Sequence, residues 1–373
     1  MHTLRIASYN VQNLFARPAA LSADNSSEVL REGAELAALL DHPRYDGPVG
    51  ERILKLVRKY SLHRRDAEHP WFELNEIRGG LLAQKDGRLF GLRAKGNADW
   101  VGWLQWKQAP VEELGVRNTA RVIGELRADV LALTEVESRP TLQHFNQGAI
   151  AEFLPPYPYQ MCIDGNDARG IDVAMLSRLP LVSMRTHIFD SFTSPRTGLP
   201  HAIFARDCPE YELALPNGQS LWLLVNHFKS QGPGRPSDPA PEDEWRRVQA
   251  ERVAAILDRF DLHKDWVVVA GDLNEDPSRG NLSALLNKPG LTDVLTTDKA
   301  PAETWTHRFR DERSRLDYLL VSEPLRTRLQ ATGIERRGIF SPSGRQDERF
   351  PEVTDRATQA SDHAGIWAEF DLK

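Results

Sequence analysis

Short, uniformly apolar segments that each end in a polar residue constrain the fold of this chain most. Residues 266–270 (WVVVA) are followed by Gly271 and Asp272, and Asn274 comes two residues later. An apolar run of this length that is bounded by glycine is typical of a strand covered on both faces. An aspartate at the end of such a strand is held rigidly at the rim of a core, where it can bind a metal ion or orient a water molecule.

The same pattern recurs along the chain. Three further runs end in polar groups: residues 4–8 before Asn10, residues 130–134 before Glu135, and residues 221–225 before Asn226 and His227. Two others begin after polar groups: residues 318–321 after Arg315 and Asp317, and residues 365–370 after Ser361, Asp362 and His363. Because one strand of an antiparallel sheet starts beside the end of its neighbour, we expect these groups to share one edge.

Helical patterns alternate with the strand-like runs. Apolar spacing predicts one helix over residues 116–128 and another over residues 242–260, where Pro241 and three acidic residues mark the start. A shorter helix is predicted around residues 282–286. The mixed order of strands and helices predicts sheets packed against each other, with helices outside them.

Residues 17–115 follow a different pattern. Residues 52–65 carry six Lys or Arg and no acid, and their apolar spacing predicts a helix with a basic outer face. Trp100, Trp103 and Trp106 are spaced as in a helix packed by one side. We therefore expect a single domain over residues 1–373, with a mostly helical insertion at about 17–115 that lacks a core of its own.

Composition limits the function classes. With 373 residues and 40% apolar content the chain can bury a large core. A net charge of -6 and a pI near 6.0 require any contact with a polyanion to be local. Cys162 and Cys208, the only cysteines, are expected to be buried free thiols. No signal peptide, transmembrane segment or obligate protein partner is evident, so a cytoplasmic protein is expected.

Seven segments together resemble the endonuclease/exonuclease/phosphatase superfamily, which includes deoxyribonuclease I, abasic-site endonucleases and neutral sphingomyelinases. They are YNVQNLF (9–15), LTEVES (133–138), RGIDVAMLSR (169–178), VNHFKSQG (225–232), AGDLNEDP (270–277), RLDYLLVS (315–322) and SDHAGIWAEF (361–370). Their order is the family's order, and VNHFKSQG resembles the bacterial nuclease-like members. The resemblance implies a four-layer α/β/β/α sandwich, in which two mostly antiparallel sheets are flanked by helices. It also implies phosphoester hydrolysis with a divalent cation.

The residue types fit a divalent cation independently. Glu135, Asp272 and Asp362 offer the hard oxygen atoms that suit Mg²⁺ or Mn²⁺, with Ca²⁺ as a further substitute. We expect Glu135 to be the first ligand, Asn10 to help position the ion or its waters, and Asp362 to complete the site. No cysteine pattern or paired-histidine spacing favours a structural zinc site.

Phosphodiester hydrolysis also needs an activated water and protonation of the leaving oxygen. Asp272 is expected to orient or deprotonate that water or to bind a second ion, and Asn274 to donate a hydrogen bond to the phosphate. His227 is expected to be a phosphate donor or general acid. Asp317 is expected to hold His363 in one tautomer. Either Asp272 or the pair of Asp317 and His363 could be the base.

The substrate is less constrained. Arg169, Asp172 and Asn226 are candidate substrate-binding residues, although Asp172 could simply pair with Arg169. Four basic residues of the predicted helix are further candidates: Arg52, Lys55, Arg58 and Lys59. A nuclease acting on DNA or RNA is the leading hypothesis. The alternative is a phosphatase or phosphodiesterase for a small or lipid-linked phosphate, of the inositol phosphate or sphingomyelin type. A binding protein without activity is disfavoured by the complete set of site residues.

Overall fold

The structure is a computed structural model. It describes residues 3–14, 26–64, 69, 71–85, 87–107, 114–167, 169–232, 238–297, 299–300, 303–341 and 348–372. The chain divides into two compact units, one formed by residues 1–15 and 111–373 and the other by residues 16–110. Each unit is described by itself.

The helices and strands are numbered in chain order. The first are β1 (Thr3–Leu14), α1 (Ser26–Leu40), α2 (Gly47–Lys59), β2 (Phe72–Arg78), β3 (Leu82–Lys85), β4 (Arg88–Leu92) and β5 (Val101–Trp106). Then follow α3 (Leu114–Leu126), β6 (Val130–Val136), α4 (Arg139–Gln147), β7 (Tyr159–Cys162), β8 (Asp172–Ser177), β9 (Leu181–Arg185), β10 (Ser191–Thr193), β11 (Pro200–Ala202) and β12 (Glu210–Ala214). The last are β13 (Ser220–His227), α5 (Glu242–Leu257), β14 (Trp266–Asp272), α6 (Ser283–Leu286), β15 (Leu291–Asp293), β16 (His307–Phe309), β17 (Glu312–Ser314), β18 (Asp317–Ser322), α7 (Glu323–Arg326), β19 (Leu329–Glu335) and β20 (Gly365–Asp371).

Two six-stranded sheets form the larger unit. The first has the strand order β19-β20-β1-β6-β8-β7, and the second has the order β15-β18-β14-β13-β12-β9. Each sheet contains one parallel pair, β1 with β6 and β13 with β14, and all its other neighbouring strands are antiparallel. Both sheets are therefore mostly antiparallel, as predicted.

Three apolar clusters separate four layers. One lies between the sheets and contains inward side chains of both, such as Ile6 and Val268. The second joins the first sheet to α3 and α4, and the third joins the second sheet to α5 and α6. Alternating side chains of each strand point to opposite faces, so each buried strand contributes to two clusters. The predicted α/β/β/α sandwich is confirmed.

Helix α5 illustrates how the sequence sets the element bounds. It starts directly after Pro241, with Glu242, Asp243 and Glu244 in its first turn. Acidic side chains there interact favourably with the positive end of the helix dipole. The helix ends at Leu257, slightly before the predicted end at residue 260. Among the described residues, no helix is both long and apolar enough to cross a membrane.

Residues 16–110 contain two helices and four strands among their described elements. A cluster of buried residues that includes Ile53, Phe72 and Trp100 gives this unit a core, so the expectation of an insertion without a core was wrong. The expected tryptophan helix was also wrong. Residues 101–106 form β5, which pairs with β2. Strand alternation leaves Trp103 49% exposed, while Trp106 packs edge-on against Phe72 with ring centroids 5.2 Å apart.

The basic helix is present as α2, but α1 neutralises part of its charge. Arg52 donates to Glu35 through two hydrogen bonds of 2.7 and 2.6 Å. Lys59 binds Glu28 at 2.7 Å and Glu32 at 2.6 Å. Lys55 and Arg58 are exposed, and two of the four expected phosphate contacts are thus already engaged with carboxylates. The predicted basic face of α2 is therefore partly neutralised by α1.

A buried histidine in the larger unit is held between two carboxylates. His187 Nδ1 lies 2.8 Å from Asp190, and His187 Nε2 lies 2.7 Å from Glu210. Arg252 and Arg259 bind the same two carboxylates. Burial alone would lower the pKa of His187, but the hydrogen bonds to Glu210 and Asp190 outweigh it and raise the pKa. Both ring nitrogens can donate only when the imidazole is protonated.

We expect this histidine to make folding stability depend on pH. Its raised pKa in the folded protein means that its contribution is complete below the unfolded pKa of about 6.5 and is lost as the pH rises through the folded value. The melting temperature of wild type should therefore exceed that of His187→Gln by more at pH 6 than at pH 9. Thermal unfolding of both proteins at both pH values tests this, and a constant difference would contradict it.

Candidate active site

Strand ends bring the polar residues together. In the second sheet, Asp272 at the end of β14 pairs in register with His227 of β13 on one side and with Asp317 of β18 on the other. In the first sheet, Asn10 of β1 pairs with Thr134 of β6, next to Glu135. These residues therefore lie at the ends of neighbouring strands, as expected from the sequence.

Asn10 connects the two sheets across this edge. Its Nδ2 atom donates to Glu135 Oε1 at 3.3 Å and to Asp272 Oδ2 at 3.1 Å. Its Oδ1 atom accepts from the Gln12 amide at 2.9 Å, which fixes the orientation of the side chain. Two carboxylates from different sheets thus face one amide group. This geometry places their oxygen atoms within reach of a common ligand.

His363 is held on both sides. Its Nδ1 atom lies 2.8 Å from Asp317 Oδ2, and its Nε2 atom lies 3.8 Å from Asp272 Oδ2 and 4.0 Å from Asp362 Oδ1. Burial alone would lower the pKa of His363, but the charges of Asp317 and Asp272 outweigh it and raise the pKa. Burial in turn raises the pKa of Asp272. The arrangement can hold or move a proton at His363 Nε2.

His227 lies on the other side of Asp272. Its Nε2 atom is 3.7 Å from Asp272 Oδ2, and its Nδ1 atom is buried without a hydrogen-bond partner in the described part of the chain. Burial lowers the pKa of His227 well below the ordinary value, and the positive charge of Arg206 adds to this effect. In its neutral form the imidazole can offer one N–H to a ligand.

Left-handed backbone conformations occur at three residues of the site. The φ angles are 50° at Gln12, 66° at Glu135 and 53° at Asn274. Such angles are costly for residues with a Cβ atom and concentrate at functional sites. At Asn274 the amide N–H donates to Asp272 Oδ1 at 2.8 Å, and Nδ2 donates to the Phe228 carbonyl at 3.2 Å. The strained turn therefore helps to fix Asp272.

The donor set fits a divalent cation. Four carboxylates, those of Glu135, Asp272, Asp317 and Asp362, gather around Asn10 and His363. Asp317 Oδ1 is buried and has no hydrogen-bond partner among the described residues. Excess buried negative charge is stabilised by a bound cation, and oxygen ligands favour Mg²⁺, Mn²⁺ or Ca²⁺. Glu135 and Asp272 are the residues that would hold such an ion, and Asn10 positions their carboxylates through its Nδ2 atom.

Sequence reasoning missed His307, which lies beside this centre. Its ring centroid is 4.7 Å from that of His363, and its Nε2 atom is 3.8 Å from Asp362 Oδ2. Backbone hydrogen bonds fix the contact: the Arg308 amide donates to Asp362 O at 2.9 Å and the Ala364 amide to Thr306 O at 2.6 Å. His307 belongs to none of the recognisable segments, so no sequence signal marked it.

The remaining candidates are placed differently. Asn226 is fully buried and packs on the helix side of its sheet, opposite to His227, because neighbouring strand residues face opposite ways. Asp172 does not pair with Arg169. It accepts from the Gly165 amide at 2.8 Å, and burial raises its pKa to about 6. Four candidates belong to the unit of residues 16–110: Arg52, Lys55, Arg58 and Lys59.

Arg169 lines a cationic pocket of about 340 Å³. Arg206 and Lys229 line it too, and Asp167 and Asp238 partly balance them. Arg206 is 3% exposed and donates to the Phe228 carbonyl at 3.2 Å, one residue after His227. The charges of this pocket reach His227: after burial, the positive charges of Arg206 and Arg169 lower the pKa of His227. Arg206 was also missed from the sequence.

Carboxylates and histidines from both sheets thus gather at one edge of the sandwich. The sequence profile of the Endonuclease/Exonuclease/phosphatase family matches residues 112–363. The chain belongs to this family, whose members are divalent-metal-dependent phosphoesterases. It has no match among curated protein sequences.

Solved structures share the fold at low sequence identity. An endonuclease/exonuclease/phosphatase family protein from Bacteroides thetaiotaomicron has a TM-score of 0.51 and 14% identity, covering 99% of this chain and 98% of that chain. A mannosyl-6-phosphatase from the same organism has a TM-score of 0.50 and 13% identity, with 98% of each chain covered. Truncated TDP2 from Caenorhabditis elegans has a TM-score of 0.45 and 18% identity, covering 69% of this chain and 91% of that chain.

Proposed function

We propose that the protein is a Mg²⁺-dependent phosphodiesterase that cleaves nucleic acid. The observation that carries this proposal is the presence of cationic groups at both ends of the row formed by His227, Asp272 and His363. A polymer presents phosphates on both sides of the bond that is cut, and each flanking phosphate is stabilised by a positive group. A net charge of -6 makes such local groups necessary.

At the His227 end, the positive groups are those of the cationic pocket. Arg169 is the accessible one, because 51% of its side chain is exposed. A phosphate would compete there with Asp167, which accepts from Arg169 Nη2 at 2.7 Å. At the His363 end lies the hairpin of β16 and β17, next to Trp305. The Trp305 ring packs against the guanidinium groups of Arg336 at 4.3 Å and Arg313 at 4.6 Å. An aromatic ring among arginines is suited to a phosphate backbone and its bases.

Within the centre, each residue has a chemical task. A bound cation would neutralise charge on the phosphate and activate a water molecule. Asp272 orients that water. The backbone N–H of Asn274 fixes Asp272, and the side-chain amide of Asn274 lies at the same turn. His227 offers an N–H to the leaving oxygen. His363, oriented by Asp317, donates to a phosphate oxygen or exchanges a proton at Nε2.

A substrate panel tests the proposal. Supercoiled plasmid, single-stranded DNA and RNA should be cut with Mg²⁺ or Mn²⁺ and should remain intact with EDTA. The panel also includes bis(p-nitrophenyl) phosphate, p-nitrophenyl phosphate, a phosphoinositide and sphingomyelin. Hydrolysis of the monoester or lipid substrates without any cleavage of nucleic acid would overturn the nuclease assignment and leave a phosphoesterase.

Arg169 supplies a sharper test of the polymer hypothesis. Arg169→Ala should weaken binding of single-stranded DNA by roughly 10-fold and should reduce the slope of log affinity against log salt by about 1. Turnover of bis(p-nitrophenyl) phosphate, which has no flanking phosphate, should change far less. Arg185→Ala, at an exposed arginine of β9, is the matched control. Equal effects of both variants on DNA would argue against a phosphate contact at Arg169.

A second candidate function rests on a larger pocket. An open pocket of about 700 Å³ lies next to the same hairpin, with Leu291, Trp305 and Arg313 among the lining residues. A volume of this size accommodates a small organic group. The corresponding activity is hydrolysis of a small or lipid-linked phosphoester. Selective turnover of the small-molecule or lipid substrates in the panel would favour it.

A further inference from the structure

His307, Asp362 and His363 form a cluster whose ligand chemistry differs from that of the oxygen-rich centre. One ligand atom from each residue lies within 4.8 Å of the others. Two different oxygens of Asp362 face the two rings, Oδ2 towards His307 Nε2 at 3.8 Å and Oδ1 towards His363 Nε2 at 4.0 Å. The cluster therefore directs two imidazole nitrogens and one carboxylate towards the same point, where a metal ion could bind.

Both rings are oriented from behind. His307 Nδ1 is hydrogen-bonded to Ser314 Oγ at 2.9 Å, and His363 Nδ1 to Asp317 Oδ2 at 2.8 Å. These bonds leave both Nε2 atoms directed at Asp362. Histidines that bind metals are held in this way, with the second nitrogen donating to a carboxylate or another oxygen. Ser314 and Asp317 thus orient the two histidines that would bind the ion.

We propose that His307, Asp362 and His363 bind a zinc-type cation, and that this cation inhibits the enzyme by occupying His363 Nε2. Two nitrogens and one oxygen suit Zn²⁺ or Co²⁺, whereas Mg²⁺ prefers oxygen ligands. Around a tetrahedral ion with bonds of about 2.0–2.2 Å, ligand atoms lie about 3.3–3.6 Å apart. Since the ligand atoms lie within 4.8 Å of one another, they need to approach by up to about 1.5 Å. Water or substrate would supply the fourth ligand.

The sequence could not indicate this site, because the two histidines lie in different segments. Only the backbone pairing of residue 307 with residue 363 brings them together. Asp362 and His363 are also members of the proposed phosphoester site, so the inhibitory part of the inference rests on the proposed function. Binding itself does not. The two parts are therefore measured separately.

Binding is measured by calorimetric titration of the full chain with Zn²⁺ at saturating Mg²⁺, which fills oxygen-only sites. Wild type should bind one Zn²⁺ per chain, and His307→Gln should bind it at least about 100-fold more weakly. Ser314→Ala keeps all three ligands and should weaken binding by about 10-fold, since only an outer partner is lost. His144→Gln, at an exposed histidine of α4, is the matched control and should bind as wild type does.

Co²⁺ provides an independent spectroscopic reading. Visible ligand-field absorption should develop in wild type and in His144→Gln, and it should be absent from His307→Gln. Circular dichroism melting confirms that each variant is folded, and Ser314→Ala gives a second measurement if His307→Gln is unstable. Equal Zn²⁺ affinity in wild type, His307→Gln and Ser314→Ala, or no Zn²⁺ binding by wild type, would overturn the site.

Inhibition is measured as the ratio of rates with and without Zn²⁺ for bis(p-nitrophenyl) phosphate at saturating Mg²⁺. The Zn²⁺ concentration that halves the rate should rise at least 10-fold in His307→Gln relative to wild type. If Zn²⁺ binds through His307 but leaves the wild-type rate unchanged, the inhibitory overlap is overturned and the metal site stands. If no substrate is hydrolysed by any protein, the proposed function fails while the binding result still decides the site.

Discussion

Replacing His363 with glutamine is expected to lower kcat for phosphodiester hydrolysis by about 10³-fold, within the range of a lost proton-transfer group. This corresponds to about 4 kcal/mol of transition-state stabilisation. The reason is geometric: His363 Nε2 faces Asp272 and Asp362, while His363 Nδ1 is held 2.8 Å from Asp317. Glutamine cannot accept and return a proton. Steady-state kinetics at saturating Mg²⁺ measures the change.

The pairing with Asp317 gives this prediction its control. Asp317→Asn should reduce kcat strongly as well, because the carboxylate that orients the ring is lost. The double variant should then be little worse than His363→Gln alone, since residues that act as a unit show non-additive effects. Multiplicative losses would mean that the two residues act independently. Near-normal rates in both His363→Gln and Asp272→Ala would remove the proposed centre.

The strand-terminal residues of this centre were predictable because two local rules determine them. Apolar runs identified the buried strands, and strand register then placed Asp272 between His227 and Asp317. Side chains of a strand alternate between its two faces, so the neighbouring residues His227 and Asn226 face opposite sides of the sheet. Asn226 therefore lies on the face away from the centre, a placement that strict use of alternation predicts.

Other features depend on contacts that no local pattern encodes. His307 reaches the centre because the hairpin of β16 and β17 is anchored to the segment before β20 by backbone hydrogen bonds. Two basic residues of α2, Arg52 and Lys59, are neutralised by acids of α1 that are distant in sequence. Likewise, the spacing of three between tryptophans favours a helix, but residues 101–106 pair with β2 and form a strand. Tertiary pairing overrides local periodicity in each case.

A buried ion pair beneath the site gives the largest expected effect on stability. Arg246 of α5 is 1% exposed and forms an ion pair with Glu275, which is fully buried directly after Asn274. Its Nη1 atom donates to the carbonyls of Lys229 at 3.1 Å and Ser230 at 3.3 Å. One guanidinium therefore joins the loop after His227 to the loop that carries Asn274.

Arg246→Met is expected to lower the free energy of unfolding by about 3–5 kcal/mol, because it leaves the carboxylate of Glu275 buried and unpaired. Denaturant unfolding measures this loss. Arg247→Met, at an exposed neighbour on the same helix, should cost no more than about 1 kcal/mol. Adding Glu275→Leu to Arg246→Met should restore much of the stability, since an apolar pair no longer buries a charge. If the double variant is no more stable than Arg246→Met, the buried carboxylate is not the cause of the loss.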